Sequence, residues 1–418
     1  MSEVKEVRLA DNVVLYCGDC ADVIPMLSGI DSCVTDPPYG LSSTRVGAMC
    51  VCAEEGEPDS KCRVCGGTGR VLPKGTGGFM GHEWDLEIPE VRVWRMVHEV
   101  LKPGAHVLAF AGTRTQHRMA CNIEDAGFEI RDMIAWLYSS GVPKGLDVGR
   151  FVDEHLGAVR DVLRVEKGGA TFWKEDGSYE IADKKITVPA TDEGRTWDGW
   201  NTALKPAFEP VTVARKIVPD TVAKCALEHG TGSFNVRGCR VDDGTPDVSS
   251  LLNDAGPVSL DVGKWPANVM HDGSEEVLAS LPVDAASGRD RSAKRNVSRF
   301  FYCSKASKLD RDEGLFEFDR KESGVLGKGV MKRNIHPTVK PVDLMRWMVR
   351  LVTRPGGIVL DPYMGSGSTG KGAVLEGMGF VGIERDLESF EIAVARVRYA
   401  LTIAGRSSVE VTLDGSGK

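Results

Sequence analysis

The segment Cys33-Val34-Thr35-Asp36-Pro37-Pro38-Tyr39-Gly40 carries an apolar run into a carboxylate, two prolines, an aromatic ring and a glycine. Prolines donate no backbone hydrogen bond and stiffen the chain, and the residue before each is pushed away from helix. A strand must therefore stop at Asp36, and a rigid loop must present a carboxylate, a free carbonyl and an aromatic face. A second segment, Gly357-Ile358-Val359-Leu360-Asp361-Pro362-Tyr363-Met364-Gly365-Ser366-Gly367-Ser368-Thr369-Gly370, is an apolar strand that meets a glycine-rich loop and then a helix. Glycines at such a turn let backbone approach a ligand. The next apolar strand ends in Glu384, about 20 residues past the loop, where an acid can take both ribose hydroxyls. Lys371 does not stand in a P-loop context.

Strand, glycine loop, helix, strand and acid together point to a nucleoside-containing ligand, either a dinucleotide or S-adenosylmethionine. Asp36-Pro37-Pro38-Tyr39 favours the second. The exocyclic nitrogen of adenine or cytosine is a poor nucleophile because its lone pair is delocalised into the ring. Asp36 and the Pro37 carbonyl can accept hydrogen bonds from that amine and localise the lone pair toward a sulfonium methyl. Pro37 and Pro38 fix both acceptors in advance, and Tyr39 offers a stacking face to a base rotated out of the duplex.

The elements that must position these residues alternate. Strands are expected at NVVLYCGD, DSCVTD, AHVLAFAG, IRDMIAWLYSS, GIVLDPY and FVGIERD. Helices are expected at CADVIPMLS, IPEVRVWRMVHEVLKPG (stopping at Pro-Gly), HRMACNIEDAGFE, PVDLMRWMVRLVTRPGG, TGKGAVLEGMGF and LESFEIAVARVRYALTIAG. This alternation predicts an α/β fold with a doubly wound, mostly parallel sheet. Residues 139–333 break the pattern and are expected to form an inserted, loop-rich region that opens with one helix.

At this point the sequence resembles the amino-group DNA methyltransferases that depend on S-adenosylmethionine. The resemblance rests on DPPY at 36–39, on Tyr363-Met364-Gly365-Ser366-Gly367 (with Tyr where the family usually has Phe), and on Asn334-Ile335-His336-Pro337-Thr338-Val339-Lys340-Pro341. Gly18-Asp19, GHEWD at 81–85 and RFFYCSKAS at 299–307 add to it. Catalytic motif first and cofactor loop last is the order of the β class, so the resemblance implies a Rossmann-like domain with permuted motif order. It covers roughly 1–40, 79–138 and 299–400. It implies Asp36, Pro37, Pro38 and Tyr39 as the catalytic set. Asp19, Asp36, His336, Thr338, Lys340, Asp361, Tyr363, Gly365, Ser366, Gly367, Ser368, Thr369 and Glu384 would hold the cofactor, with Lys340 near its methionine end. It implies base flipping, double-stranded DNA as substrate, a homodimer and a partner restriction endonuclease. DPPY favours adenine N6, and N4-cytosine is the alternative. Cytosine C5 chemistry lacks its Pro-Cys pair, and protein-glutamine methyltransferases usually have Asn at the Asp36 position. A DNA-binding protein that keeps the fold without turnover is the reading from another class.

Between Gly40 and Phe79 stand Cys50-x-Cys52 and Cys62-x-x-Cys65. Four thiols on two tight knuckles can satisfy tetrahedral zinc. CRVCGGTG resembles the knuckle of DnaJ-type zinc domains, although the first pair is C-x-C; free or redox-active thiols are the alternative. A metal would supply the folding energy of a segment without a core. Leaving the chain just after the catalytic loop, it is expected at the rim of the cleft, where Arg45, Lys61, Arg63, Arg70 and Lys74 can touch DNA. Cys17 and Cys20 read as core. Residues 289–311 hold eight Lys or Arg against two Asp, interrupted by Phe300, Phe301 and Tyr302. Such a run can follow a phosphate backbone or form a solvated face. Trp197 and Trp200 can stack on bases or pack, whereas Trp265 is expected to pack.

The net charge of −8 does not suggest a nonspecific nucleic-acid coat. The 418 residues suit one large domain with insertions. The expected division is 1–40, 79–138 and 334–418 for the methyltransferase domain, 41–78 for the cysteine insertion, and 139–333 for target recognition. The eleven cysteines stand in a sequence with no signal-peptide layout at its start and no long apolar run. Reduced thiols, no membrane span and a cytoplasmic site of action, in a bacterium, an archaeon or a phage-infected cell, are expected.

Overall fold

The computed structural model describes residues 4–40, 48–49, 70–71, 83–139, 141, 145–173, 179–240, 265–280, 283–284, 295–296, 308–322 and 331–406. One nine-stranded sheet organises them. Its strands in chain order are β1 (Lys5–Ala10), β2 (Val13–Cys17), β3 (Ile30–Thr35), β4 (Leu101–Phe110), β5 (Phe128–Leu137), β6 (Phe208–Lys216), β7 (Val269–His271), β8 (Ile358–Asp361) and β9 (Gly379–Glu384). Across the sheet they run β1-β2-β9-β8-β3-β4-β6-β5-β7. The five strands from β2 to β4 are mutually parallel. β1 and β6 are antiparallel to their neighbours, and β7 lies parallel to β5. The fold is α/β.

The parallel strands are continuous apolar runs because both faces are covered. Successive residues serve opposite faces: Val34 and Leu108 join one core, Cys33 and Val107 the other. Helix α2 (Val91–Val100) buries Trp94, Val97 and Val100 on the Cys33 side. α4 (Val342–Val352) buries Leu344, Met345 and Met348 on the Val34 side, where α6 (Leu387–Ile403) adds Phe390, Ala393 and Val397. The short helix α1 (Cys20–Val23) follows β2, α3 (Gln116–Asp125) precedes β5, and α5 (Ser368–Leu375) joins β8 to β9.

Three expectations are corrected. The Pro103-Gly104 pair does not stop a helix from outside; α2 ends at Val100, and both residues lie within β4. Gly104 makes this possible with φ +73°, and a Cβ there would come within 2.5 Å of Cys225 Sγ. The described part of residues 139–333 is not all loop: β6 fits between β4 and β5 along nearly its whole length, and β7 extends the edge. The same span holds a long antiparallel hairpin, Val162–Trp173 with Tyr179–Thr187, besides the expected helix Val148–His155. Trp265 does not pack inside: it is 68% exposed with the Arg240 guanidinium over its ring. Trp197 and Trp200 are exposed and meet edge-on. Cys17 and Cys20 are half-buried against the two cores, as read.

His106 on β4 sets an acid limit. It is buried beside Phe234, and burial, then Arg215 and Arg131, push its pKa down to about 3. The unfolded chain takes up a proton near pH 6.5 while the folded chain refuses it, so stability is full above that pH and falls as pH drops toward 3. Between pH 7 and pH 5 the loss from this residue is about 2 kcal/mol. His106→Phe should flatten that part of the pH–stability curve in denaturant titrations.

Candidate active site

Every strand end that the sequence marked lies on one edge of the sheet, outside the carboxyl ends of the parallel strands. Ligands bind there in open α/β sheets. Asp36 leaves β3, Asp19 follows β2, Asp361 closes β8 and Glu384 closes β9.

The Asp36–Gly40 loop is pinned from two sides. The backbone N–H groups of Tyr39 and Gly40 donate to Asp85 Oδ1 at 2.6 and 3.2 Å, and Thr115 Oγ1 donates to the Tyr39 carbonyl at 2.6 Å. Gly40 sits at φ +62°, where a Cβ would come within 3.0 Å of the Ile88 nitrogen. Pro37 is buried and Pro38 half-buried.

Four polar groups meet at this loop. The Tyr39 hydroxyl lies 2.8 Å from Asp36 Oδ1 and 3.0 Å from Glu209 Oε2. Lys340 Nζ donates to Asp36 Oδ2 at 2.6 Å and lies 3.2 Å from both Glu209 Oε2 and the Tyr39 oxygen. The same ammonium stands 4.8 Å above the Phe110 ring. Burial, then Asp36 and Glu209, hold the Tyr39 phenol well above its usual range, so it stays protonated. Burial opposes the charge on Lys340, but Asp36 and Glu209 outweigh it and hold the ammonium above the ordinary lysine range. Lys340 thus meets the Asp36 carboxylate directly.

The glycine loop is built from below. Asp361 is 1% exposed; its Oδ1 accepts from Thr35 Oγ1 at 2.7 Å and from the Tyr363 N–H at 3.1 Å, and its Oδ2 accepts from Thr369 Oγ1 at 2.6 Å. Burial raises its pKa to about 7. Ser366 and Ser368 turn toward the fully buried Arg396, whose Nη1 donates to the Ser366 carbonyl at 2.6 Å and reaches the two hydroxyls at 3.2 and 3.3 Å. The side chains of Asp361, Ser366, Ser368 and Thr369 are buried and hydrogen-bonded beneath the loop, and they shape it. Gly365 at φ +49° and Gly367 at φ +78° make its turn, and both are buried; a Cβ on Gly367 would come within 3.0 Å of the Ala393 Cβ. Gly365 N–H donates to Glu384 Oε2 at 2.9 Å, and Asp386 N–H to Oε1 at 2.8 Å. Burial raises the Glu384 pKa, against the Asp386 and Gly365 N–H groups, which favour its charged form.

The remaining expected residues surround this loop. A Cβ on Gly365 would come within 2.7 Å of His336 Nε2. Burial, then Arg311 and Lys340, push His336 down to about 3, so its ring is neutral and Nδ1 accepts from the Thr338 N–H at 3.4 Å. Trp84 stacks beside it. Tyr363 is half-buried with its hydroxyl against the Cys20 thiol. Asp19 caps α1 through the Ala21 N–H at 2.8 Å, and the neighbouring Gly18 N–H donates to the Glu384 carbonyl.

Glu209, Thr115 and Arg396 were not read from the sequence. Asp85 was quoted in GHEWD without a role. The only sequence signal for Glu209 is an acid entering an apolar strand; its place depends on β6 running antiparallel. Among the described residues no group of three or more His, Cys, Asp or Glu is arranged to hold a metal. Cys50, Cys52, Cys62 and Cys65 lie outside the described residues, as do Arg45, Lys61, Arg63, Lys74 and most of 289–307, and Arg70 is described in its backbone only. Among the described residues no helix is long and apolar enough to cross a membrane.

Known proteins resemble this chain. Residues 267–395 match the family model N6_N4_Mtase, described as DNA methylase. Type II methyltransferase M.HindIII of Haemophilus influenzae is 22% identical over 304 residues, 71% of this chain and 64% of that protein. Type II methyltransferase M2.MboI of Moraxella bovis is 39% identical over 61 residues, 15% of this chain and 22% of that protein. The chain thus spans less than two thirds of the length of these two curated relatives. Among solved structures, the cytosine-N4-specific PvuII DNA methyltransferase aligns over 99% of this chain and 96% of its own, at 13% identity and a TM-score of 0.42. The chain is similar to amino-group DNA methyltransferases.

Proposed function

We propose that this protein transfers a methyl group from S-adenosylmethionine to an exocyclic amine of a DNA base, adenine N6 ahead of cytosine N4. The carrying observation is the Asp36 carboxylate, fixed at the end of β3 by Tyr39 and Lys340 beside the glycine loop and Glu384. These residues fit the cofactor: the glycine loop turns through Gly365 and Gly367 at positive φ between β8 and α5, and Glu384 and Asp19 bring carboxylates to neighbouring strand ends. Bound there, the cofactor supplies an electrophilic sulfonium methyl. A carboxylate offers about four acceptor positions. Lys340 takes one on Oδ2, and Tyr39, whose single proton also faces Glu209, at most one on Oδ1, so two remain for the amine. Asp36 then accepts from the amine and localises its lone pair, while the pinned loop needs little reorganisation. Cys33, the thiol nearest the loop in sequence, is fully buried and pushed well above the usual thiol range. This favours amine chemistry over a thiolate route to C5. The assembled Asp36, Tyr39 and Lys340 also favour turnover over a binding-only role. DNA as partner, base flipping, a homodimer, a partner restriction endonuclease and zinc on Cys50, Cys52, Cys62 and Cys65 belong to the same proposal.

The test is nucleoside mass spectrometry on DNA incubated with the protein and methyl-labelled S-adenosylmethionine. Label in N6-methyladenine is the expected result. Label in N4-methylcytosine would keep the mechanism and change the base. No label in any DNA would overturn the reading.

A further inference from the structure

Asp36 alone would form a tight ion pair with Lys340. That pairing would spend the carboxylate's charge on the ammonium instead of on the substrate. Methyl transfer makes this costly: as the N–CH3 bond forms, the S–CH3 bond breaks with its electron pair going to sulfur. Positive charge then sits on the nitrogen until it sheds a proton to water. Charge that appears only in the transition state is best met by a preorganised opposite charge.

A second carboxylate changes the balance. Glu209, at the start of β6, has its Oε2 3.2 Å from Lys340 Nζ and 3.0 Å from the Tyr39 hydroxyl. Two carboxylates thus face one ammonium, and all three side chains are mostly buried, at 8%, 18% and 20% exposure for Lys340, Asp36 and Glu209. The Ala111 N–H donates to the Pro210 carbonyl, which fixes the start of β6 beside the end of β4. Glu209 therefore reaches the site from a rigid strand and not from a loop.

We propose that Glu209 is a positioning residue for methyl transfer: by sharing Lys340 and the Tyr39 hydroxyl it leaves the Asp36 carboxylate with uncompensated negative charge toward the amine. The inference rests on the amine-methyltransferase reading above. It assigns the acidic strand start a role that neither motif contains.

Glu209→Gln keeps the size and an acceptor for Tyr39 but removes the charge. With full-length protein and labelled S-adenosylmethionine on DNA that the unaltered protein methylates, its single-turnover rate should fall about 10- to 100-fold, as for loss of a charge a few ångströms away. The affinity for S-adenosylhomocysteine by calorimetry and the thermal midpoint should stay within error. Glu209→Asp, which restores the charge, should recover part of the rate. Wild-type rates in Glu209→Gln would overturn the inference. So would equal loss in both variants with a lowered midpoint, the mark of a purely structural role. No transfer by the unaltered protein would overturn the functional reading itself, and this inference with it.

Discussion

Asp36→Ala should bind S-adenosylmethionine within about twofold of the unaltered protein and transfer methyl groups at least about 10³-fold more slowly. The magnitude follows from removal of a preorganised group aimed at developing charge, which costs about 10²–10³-fold in other active sites. Here the substrate also loses the acceptor that localises its lone pair. Folding should suffer less. Breaking a buried ion pair usually costs about 3–5 kcal/mol because the surviving charge is stranded. Lys340 is not stranded, because Glu209 remains within 3.2 Å. A calorimetric titration, a thermal melt and a single-turnover assay on one preparation separate these effects. Full activity in Asp36→Ala would sink the catalytic assignment.

Arg396→Met should unfold roughly 5 °C below the unaltered protein and bind the cofactor at least about tenfold more weakly. Arg396 is fully buried on α6, and burial lowers its pKa to about 10, so it remains cationic at neutral pH. Nη1 holds the Ser366 carbonyl and the two loop serines, and Nη2 donates to the Asp310 carbonyl at 3.1 Å. Methionine fills much of the space but leaves these acceptors without their donor. Loss of one partner from such a buried charged network costs about 3–5 kcal/mol, which corresponds to that shift for a chain of this size. The loop below Gly365 and Gly367 then loses its anchor. Arg396→Lys should recover only part, because an ammonium cannot fork to several acceptors. Differential scanning calorimetry with and without S-adenosylmethionine checks both. An unchanged midpoint would refute the argument.

Much of this was legible in the sequence. Asp36-Pro37-Pro38-Tyr39 and Gly365-Ser366-Gly367 announce themselves through backbone chemistry: prolines and glycines restrict or free φ wherever they stand. The buried parallel strands β3, β8 and β9 were readable because a strand covered on both faces must be apolar throughout. Helices α4 and α6 were readable from their spacing. β1 was not, being an antiparallel edge strand with an alternating, charged pattern. β6 was set aside with its surroundings, because its apolar alternation does not say which sheet it joins.

The sequence by itself determined where the chain must turn, where a carboxylate stands on a rigid loop, and which acid ends the strand after the glycines. These are local consequences of covalent geometry and hydrophobic periodicity. Only the tertiary structure decided that Lys340 meets Asp36, that Glu209 shares both Lys340 and Tyr39, and that Arg396 supports the glycine loop. These pairings join residues far apart in the chain, and they depend on strand order and direction. The same decision paired Thr369 with Asp361 beneath the glycine loop. A buried polar side chain takes whichever partners the fold brings within hydrogen-bond reach, and short-range sequence carries no record of them.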